Sequence, residues 1–316
     1  MFVSVVVATR NRADILRKTL ETLLIPANLS EGGWEVIVAN NGSTDSTLEL
    51  CKELGHLYPQ QVRHVLEPVP GKSRALNAGV AEAKGEIAAF IDDDVSLRRD
   101  YLAQVRVGFR TYNADGVQGR VVPKCDGSPP RWFGSYCLET FTMDHGDKVH
   151  GHSAGFNGSN MAVRREILKE LGGFRVELGP GSGNFLGEDA ELPLRMRMAG
   201  YDKLLYMPDL VAEHRIPVVR LTKRNMRRRF LEMGRYYGYK TADSTPMLRF
   251  TAYAAKQSIR SVSTILRRYA GGRPDLAMQA EGEALIRIGT ALQTWSAAMG
   301  GLRAETSWKR ITPTSR

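Results

Sequence analysis

Three consecutive acids, Asp92-Asp93-Asp94, close the apolar run Ile87-Ala88-Ala89-Phe90-Ile91. Carboxylates this crowded repel one another unless a cation sits among them. Hard divalent ions such as Mg2+ and Mn2+ take oxygen ligands and usually bridge carboxylates to phosphates, so a metal site is the chemistry these acids offer. A solvated acidic turn is the plainer alternative. A second acidic pair, Glu188-Asp189, opens a helical pattern behind the loop Gly179-Pro180-Gly181-Ser182-Gly183. At a helix start two carboxylates favour the positive dipole end.

The elements that must position these acids alternate in kind. Residues 3 to 8, 34 to 39, 62 to 66 and 87 to 91 are short β-branched or apolar runs. Between them, residues 13 to 24, 44 to 57 and 73 to 83 carry apolar side chains at helical spacing. Strand and helix in this order specify an α/β fold, a mostly parallel sheet flanked by helices with right-handed crossovers. In such sheets ligands bind at the carboxyl ends of the strands, where the three acids lie. A strand at 116 to 122, a long aperiodic stretch from Pro123 to Phe156, a strand near 159 to 163 and a short one at 203 to 207 follow. Beyond Pro217 the pattern is helical over 222 to 238, 246 to 269 and 275 to 299, broken by Gly271-Gly272-Arg273-Pro274.

The chain has 316 residues and a formal charge of +10. That length holds one large α/β domain, expected over 1–217, and a basic, amphipathic helical extension over 218–316. No run of apolar residues is long enough to span a bilayer, and the N-terminus reads as a strand rather than a signal peptide. Three cysteines, Cys51, Cys125 and Cys137, form no metal-like spacing, and an odd count argues against a disulfide framework; a cytoplasmic location is expected. The histidines His145, His150 and His152 are too loosely spaced to make zinc the favoured reading.

Four segments then fall into one order: Thr9-Arg10-Asn11-Arg12, Asn40-Asn41-Gly42-Ser43-Thr44-Asp45, Gly71-Lys72-Ser73-Arg74 and the triple acid, with Glu188-Asp189 downstream. This set resembles the family 2 inverting glycosyltransferases of GT-A (Rossmann-like) fold, over about residues 2 to 217. The resemblance implies transfer of one sugar from a nucleotide-diphosphate sugar, UDP-linked in the first instance, to a hydroxyl acceptor on a glycan or lipid. It implies Asp94 as direct ligand of Mn2+ or Mg2+, with His214 as a further metal or diphosphate ligand. Asp92 and Asp93 would hold the ribose and position the ion, and Lys72 and Arg74 would contact the nucleotide. Ala8, Thr9 and Asn11 would meet the base end, and Asn160 would line the donor-sugar side. Asp189 would be the general base, with Glu188 beside it. At Asn41 the chain departs from the family, which has an acid there to read uracil; an amide carries both donor and acceptor and can still pair with an imide edge.

Other readings differ in class. A sugar-nucleotide pyrophosphorylase would need a glycine-rich loop after the first strand, which Thr9-Arg10-Asn11-Arg12 does not supply. A processive synthase would add membrane helices and a Gln-x-x-Arg-Trp signature. A non-catalytic module would use the basic stretch 215–240 to bind nucleic acid or acidic polymer, yet Met226, Phe230 and Met233 recur at helical spacing as core contacts do, and no nucleic acid is expected. The pattern over 246 to 269, apolar residues beside arginines, is that of an interfacial helix or of one packed on a neighbour. Peripheral contact with an anionic inner leaflet is the expectation it raises.

Overall fold

The β-branched runs form the centre of a sheet because their side chains are apolar on both faces and need helices on each. The computed structural model describes residues 1–151, 155–241 and 247–301. Its strands are β1 (Val3–Thr9), β2 (Trp34–Asn40), β3 (Val62–Leu66), β4 (Ile87–Asp92), β5 (Val95–Leu97), β6 (Gly116–Cys125), β7 (His150–Gly151), β8 (Asn160–Arg164) and β9 (Leu204–Ile216). Its helices are α1 (Ala13–Leu23), α2 (Pro26–Glu31), α3 (Thr47–Leu57), α4 (Lys72–Glu82), α5 (Tyr101–Arg110), α6 (Ser135–Glu139), α7 (Arg165–Glu170), α8 (Glu188–Met198), α9 (Lys223–Thr241), α10 (Met247–Ala270) and α11 (Pro274–Ala298).

The sheet runs β3-β2-β1-β4-β8-β6-β9-β5, with β7 paired to β9. The β3-β2-β1-β4 half is parallel, as the alternation of strand and helix requires. From β8 onward the sheet turns antiparallel: β8 against β4, β6 against β8, and β5 and β7 against β9. The register places Ala8 opposite Asp92 and Thr9 opposite Asn40, so the carboxyl ends of β1, β2 and β4 lie side by side.

Each face of the sheet has its own core. Val3, Val5 and Val7 pack with Leu16, Leu20 and Leu23 of α1 and with Leu102 and Val105 of α5. Val6, Ala88 and Phe90 pack with Leu76 and Val80 of α4, Ile167 and Leu168 of α7 and Met196 of α8. Helix α4 can approach β1 because residue 79 is glycine: a Cβ there would lie 2.4 Å from Val6 Cγ1.

The chain divides into two compact units. The first comprises Met1–Lys124, Phe141–Asn184 and Glu188–Arg215; the second comprises Cys125–Thr140, Phe185–Gly187 and Ile216–Arg316. Within the second, Met226 and Phe230 of α9 are buried, and Met233 is partly so. The backbones of α9 and α11 come together at Gly234, where a Cβ would lie 2.1 Å from the Ile286 carbonyl oxygen. Tyr136 of α6 lies 5.4 Å from Phe230, and Phe185 lies 5.7 Å from Tyr239, ring centre to ring centre. The stretches 125–140 and 185–187 therefore group with the helices, although in sequence they precede residue 218. Among the described residues no helix is long and apolar enough to cross a membrane.

Candidate active site

Of the three acids at the end of β4, Asp92 and Asp94 converge with His214, while Asp93 turns to Thr9 and shares Arg12 with Asp94. Asp93 is buried: Thr9 Oγ1 donates to its Oδ2 at 2.7 Å, and the Arg12 guanidinium donates to its Oδ1. Burial, with Asp94 alongside, pushes the Asp93 carboxyl up to about 6, against the pull of Arg12. The same guanidinium reaches Asp94 Oδ2 at 2.8 Å. Arg12 is aimed here by the turn before it. Asn11 adopts a left-handed φ of 53°, tolerable for asparagine; its N–H donates to Ser43 Oγ and its Oδ1 accepts from the Thr44 N–H. Nothing in the order of residues announced Arg12 as a partner of acids 81 and 82 positions away.

The other oxygen of Asp94, Oδ1, lies 3.3 Å from His214 Nε2. The antiparallel pairing of β5 with β9 sets Val95 opposite His214, and the Arg215 N–H donates to the Asp94 carbonyl at 2.9 Å. Asp92, Asp94 and His214 each offer a ligand atom within 4.8 Å of the others, and no other such group occurs among the described residues. His214 Nδ1 is buried with no hydrogen-bond partner. Two carboxylates and one imidazole suit a divalent ion of Mn2+ or Mg2+ type. His145 and His150 instead group around the Tyr206 ring, with centroids 5.2 and 5.1 Å away; His152 lies outside the described residues.

Asp92 links this group to the second acidic pair. Lys72 Nζ, at the start of α4, lies 2.6 Å from Asp92 Oδ1 and 3.5 Å from Glu188 Oε1. Burial works to lower the Lys72 pKa, but Asp92, Glu188 and Asp189 together raise it well above the usual lysine range. Burial works to raise Asp92, and Lys72 overcomes it, holding that carboxyl below its usual value. Glu188 is pushed up to about 7, by burial first and by the Asp189 charge second.

Asp189 stands at the N-terminal turn of α8. Its Oδ2 accepts from the Gly158 N–H at 2.7 Å and its Oδ1 from the Ala190 N–H at 2.8 Å. The next residue after Gly158, Ser159, donates its hydroxyl to Asp92 Oδ2 at 2.7 Å. Two adjacent residues thus hold Asp189 on one side and Asp92 on the other. Their turn is fixed by Gln118, which accepts from the Asn157 N–H and donates to the Asn160 carbonyl.

Two asparagines from the sequence analysis have other engagements. Asn41 donates to the carbonyls of Glu67 and Val69 and accepts from the Gly71 N–H, so both ends of its amide shape the loop before α4. Asn160 donates to the carbonyls of Arg120 and Leu210 inside the sheet. Arg74 is exposed on the first turn of α4, and Ala8 ends β1 opposite Asp92.

The family profile described as "Glycosyl transferase family 2" matches residues 4–172, which is more than half of the chain. The chain belongs to glycosyl transferase family 2. Its relatives include the succinoglycan biosynthesis protein ExoM of Rhizobium meliloti, 25% identical over 252 residues covering 79% of this chain and 78% of that one. The probable glycosyltransferase YdaM of Bacillus subtilis is 28% identical over 207 residues, covering 63% of this chain. The chain spans 47% of YdaM. Among solved structures, the mannosyltransferase PcManGT from Pyrobaculum calidifontis, described in complex with GDP-Man and Mn2+, superposes with a TM-score of 0.57 at 22% identity, covering 95% of this chain and 76% of that one. The fold of this family 2 enzyme is accordingly GT-A, a curled central sheet with flanking helices.

Proposed function

We propose that this glycosyltransferase moves one sugar from a nucleotide-diphosphate sugar to a hydroxyl acceptor, by a metal-dependent reaction that inverts the anomeric carbon. The observation that carries the reading is the pair Gly158-Ser159, whose neighbouring groups hold Asp189 and Asp92. A base at Asp189 beside a metal site at Asp92, as a single in-line displacement demands, is the reading this pair supports.

Asp94, Asp92 and His214 would hold Mn2+ or Mg2+, and a bound ion would neutralise charge on the departing diphosphate. Asp189 takes the proton from the acceptor hydroxyl as it attacks. Glu188 and Lys72 tune the field around that base and around Asp92. Arg12 keeps Asp94 oriented while balancing the charge of Asp93. The donor base is uracil by family resemblance. Its recognition is assigned to main-chain groups of Ala8 and Thr9 with Asn11 and Asn41, whose amides also brace the loops that carry them. The acceptor class is a glycan or lipid-linked hydroxyl, reached from the cytoplasmic side of a membrane.

The test is a panel of UDP- and GDP-sugars offered to the purified protein with and without Mn2+. Calorimetry should find one donor bound tightly in the presence of the ion, with slow hydrolysis to the nucleoside diphosphate. Asp94→Ala should abolish the ion-dependent part of binding. A protein that ignores every nucleotide sugar with and without metal ends the reading.

A further inference from the structure

Helix α10 is 24 residues long, about 36 Å at the α-helical rise. One side of it is engaged within the helical unit. Ala254 is buried, Arg287 of α11 donates to Ser261 Oγ at 2.9 Å, and Arg268 donates to the Leu276 carbonyl at 2.6 Å. The other side is open and carries two parallel stripes. Ile259, Val262 and Leu266, three and four residues apart, are 73%, 54% and 63% exposed. Lys256, Arg260 and Arg267 are exposed along the adjacent stripe. The helix contains no aspartate or glutamate.

We propose that this face of α10 is a docking surface for an anionic lipid bilayer. An aliphatic stripe buried at the headgroup boundary, with cations beside it to meet lipid phosphates, is the arrangement that holds a helix in a membrane interface. The charge pattern selects this occupant over a second copy of the chain. A two-fold contact through this face would bring Arg260 and Arg267 against the same unbalanced cations. It favours lipid over nucleic acid as well, because the apolar stripe is built from aliphatic side chains suited to hydrocarbon. Tyr253, 54% exposed, is a single ring beside the cations rather than a row on which successive bases could stack. The inference builds on the transferase reading, in which a lipid-linked acceptor brings the chain to a bilayer.

Sedimentation of the whole chain with phosphatidylcholine vesicles, neutral or containing roughly one-third phosphatidylglycerol, tests it. Binding should require the anionic lipid and weaken at high salt. Ile259→Ser with Val262→Ser and Leu266→Ser should lower vesicle affinity about tenfold or more, and so should Arg260→Gln with Arg267→Gln. All five side chains are solvent-exposed, and an unchanged circular dichroism spectrum and melting temperature would show that the variants fold. Equal binding to neutral vesicles, no binding at all, or variants that sediment like the parent would overturn the proposal. So would a dimer in light scattering that Leu266→Ser dissolves, or displacement from vesicles by oligonucleotide but not by salt. Asp94→Ala should sediment as the parent does. Vesicle binding without any nucleotide-sugar binding would therefore sink the transferase reading alone, and the reverse result would sink the docking surface alone.

Discussion

Arg12 divides its guanidinium between Asp93 and Asp94, leaving Asp94 Oδ1 turned toward His214. Groups that orient a metal ligand through its far oxygen commonly set affinity for the ion. Arg12→Gln should weaken Mn2+ binding about 10- to 100-fold in a fluorescence or calorimetric titration, with the fold intact. Asp189→Asn keeps an oxygen for the Gly158 N–H but cannot take a proton. Turnover should fall about 10²- to 10⁴-fold while donor affinity stays near the parent value. Glu188 gives a pH signature. Its carboxyl rises from an ordinary 4.5 to about 7 in the folded protein, so between those values the folded state binds more protons than the unfolded one. Its contribution to stability therefore falls as pH rises through that window. Glu188→Gln, which has no such proton to lose, should gain in melting temperature relative to the parent from pH 5 to pH 8. A difference that stays flat or narrows would contradict the burial argument.

At the scale of elements, the strands that converge on the site were legible because β1, β2 and β4 are short runs rich in apolar and β-branched residues, broken inside only by Ser4 and Glu35. The long β9 was not. Sequence marks a strand only over residues 203 to 207, because Pro208, Asp209 and Glu213-His214-Arg215 interrupt the run. In the folded chain Leu210, Ala212, His214 and Ile216 are buried in alternation with more exposed neighbours. Partners supplied by β5 and β6 decide this, and no local propensity records them. Likewise the roles of Arg12 and Ser159 depend on acids 81 and 67 residues away. The acids were readable because three in a row have few other uses. The asparagines at 41 and 160 fit the family order of residues, yet backbone carbonyls engage them. Gly187 offers an element-level test. Its φ is 122°, and a Cβ there would lie 2.3 Å from the Tyr236 ring. Gly187→Ala forces both, immediately before Glu188, and strain of this kind costs about 1–3 kcal/mol. The variant should melt lower and lose turnover more than donor affinity.

Across the whole molecule, the two units have different chemistry. All the acids, the lysine and the histidine of the candidate site belong to the first. The second unit is helical and carries the basic runs 223–229 and 256–268. Its α9–α11 crossing is close because Gly234 leaves room for the Ile286 carbonyl. Gly234→Ala must push two backbones apart, an overpacking that costs about 1–3 kcal/mol. Chemical denaturation should register that loss, while Mn2+ affinity, set in the first unit, should not move.

The turn at residues 157 to 160 carries a lesson for anyone grafting new acceptor loops onto this scaffold. Because one dipeptide clasps both carboxylates, a change that nudges Asp92 also tugs on Asp189, and under the proposed mechanism the two halves of the reaction cannot be retuned separately there. Chimaeras that splice outside this clasp should keep Asp189 and Asp92 in their present geometry, whereas a junction through it would cut the bracket between the proposed base and the proposed metal site.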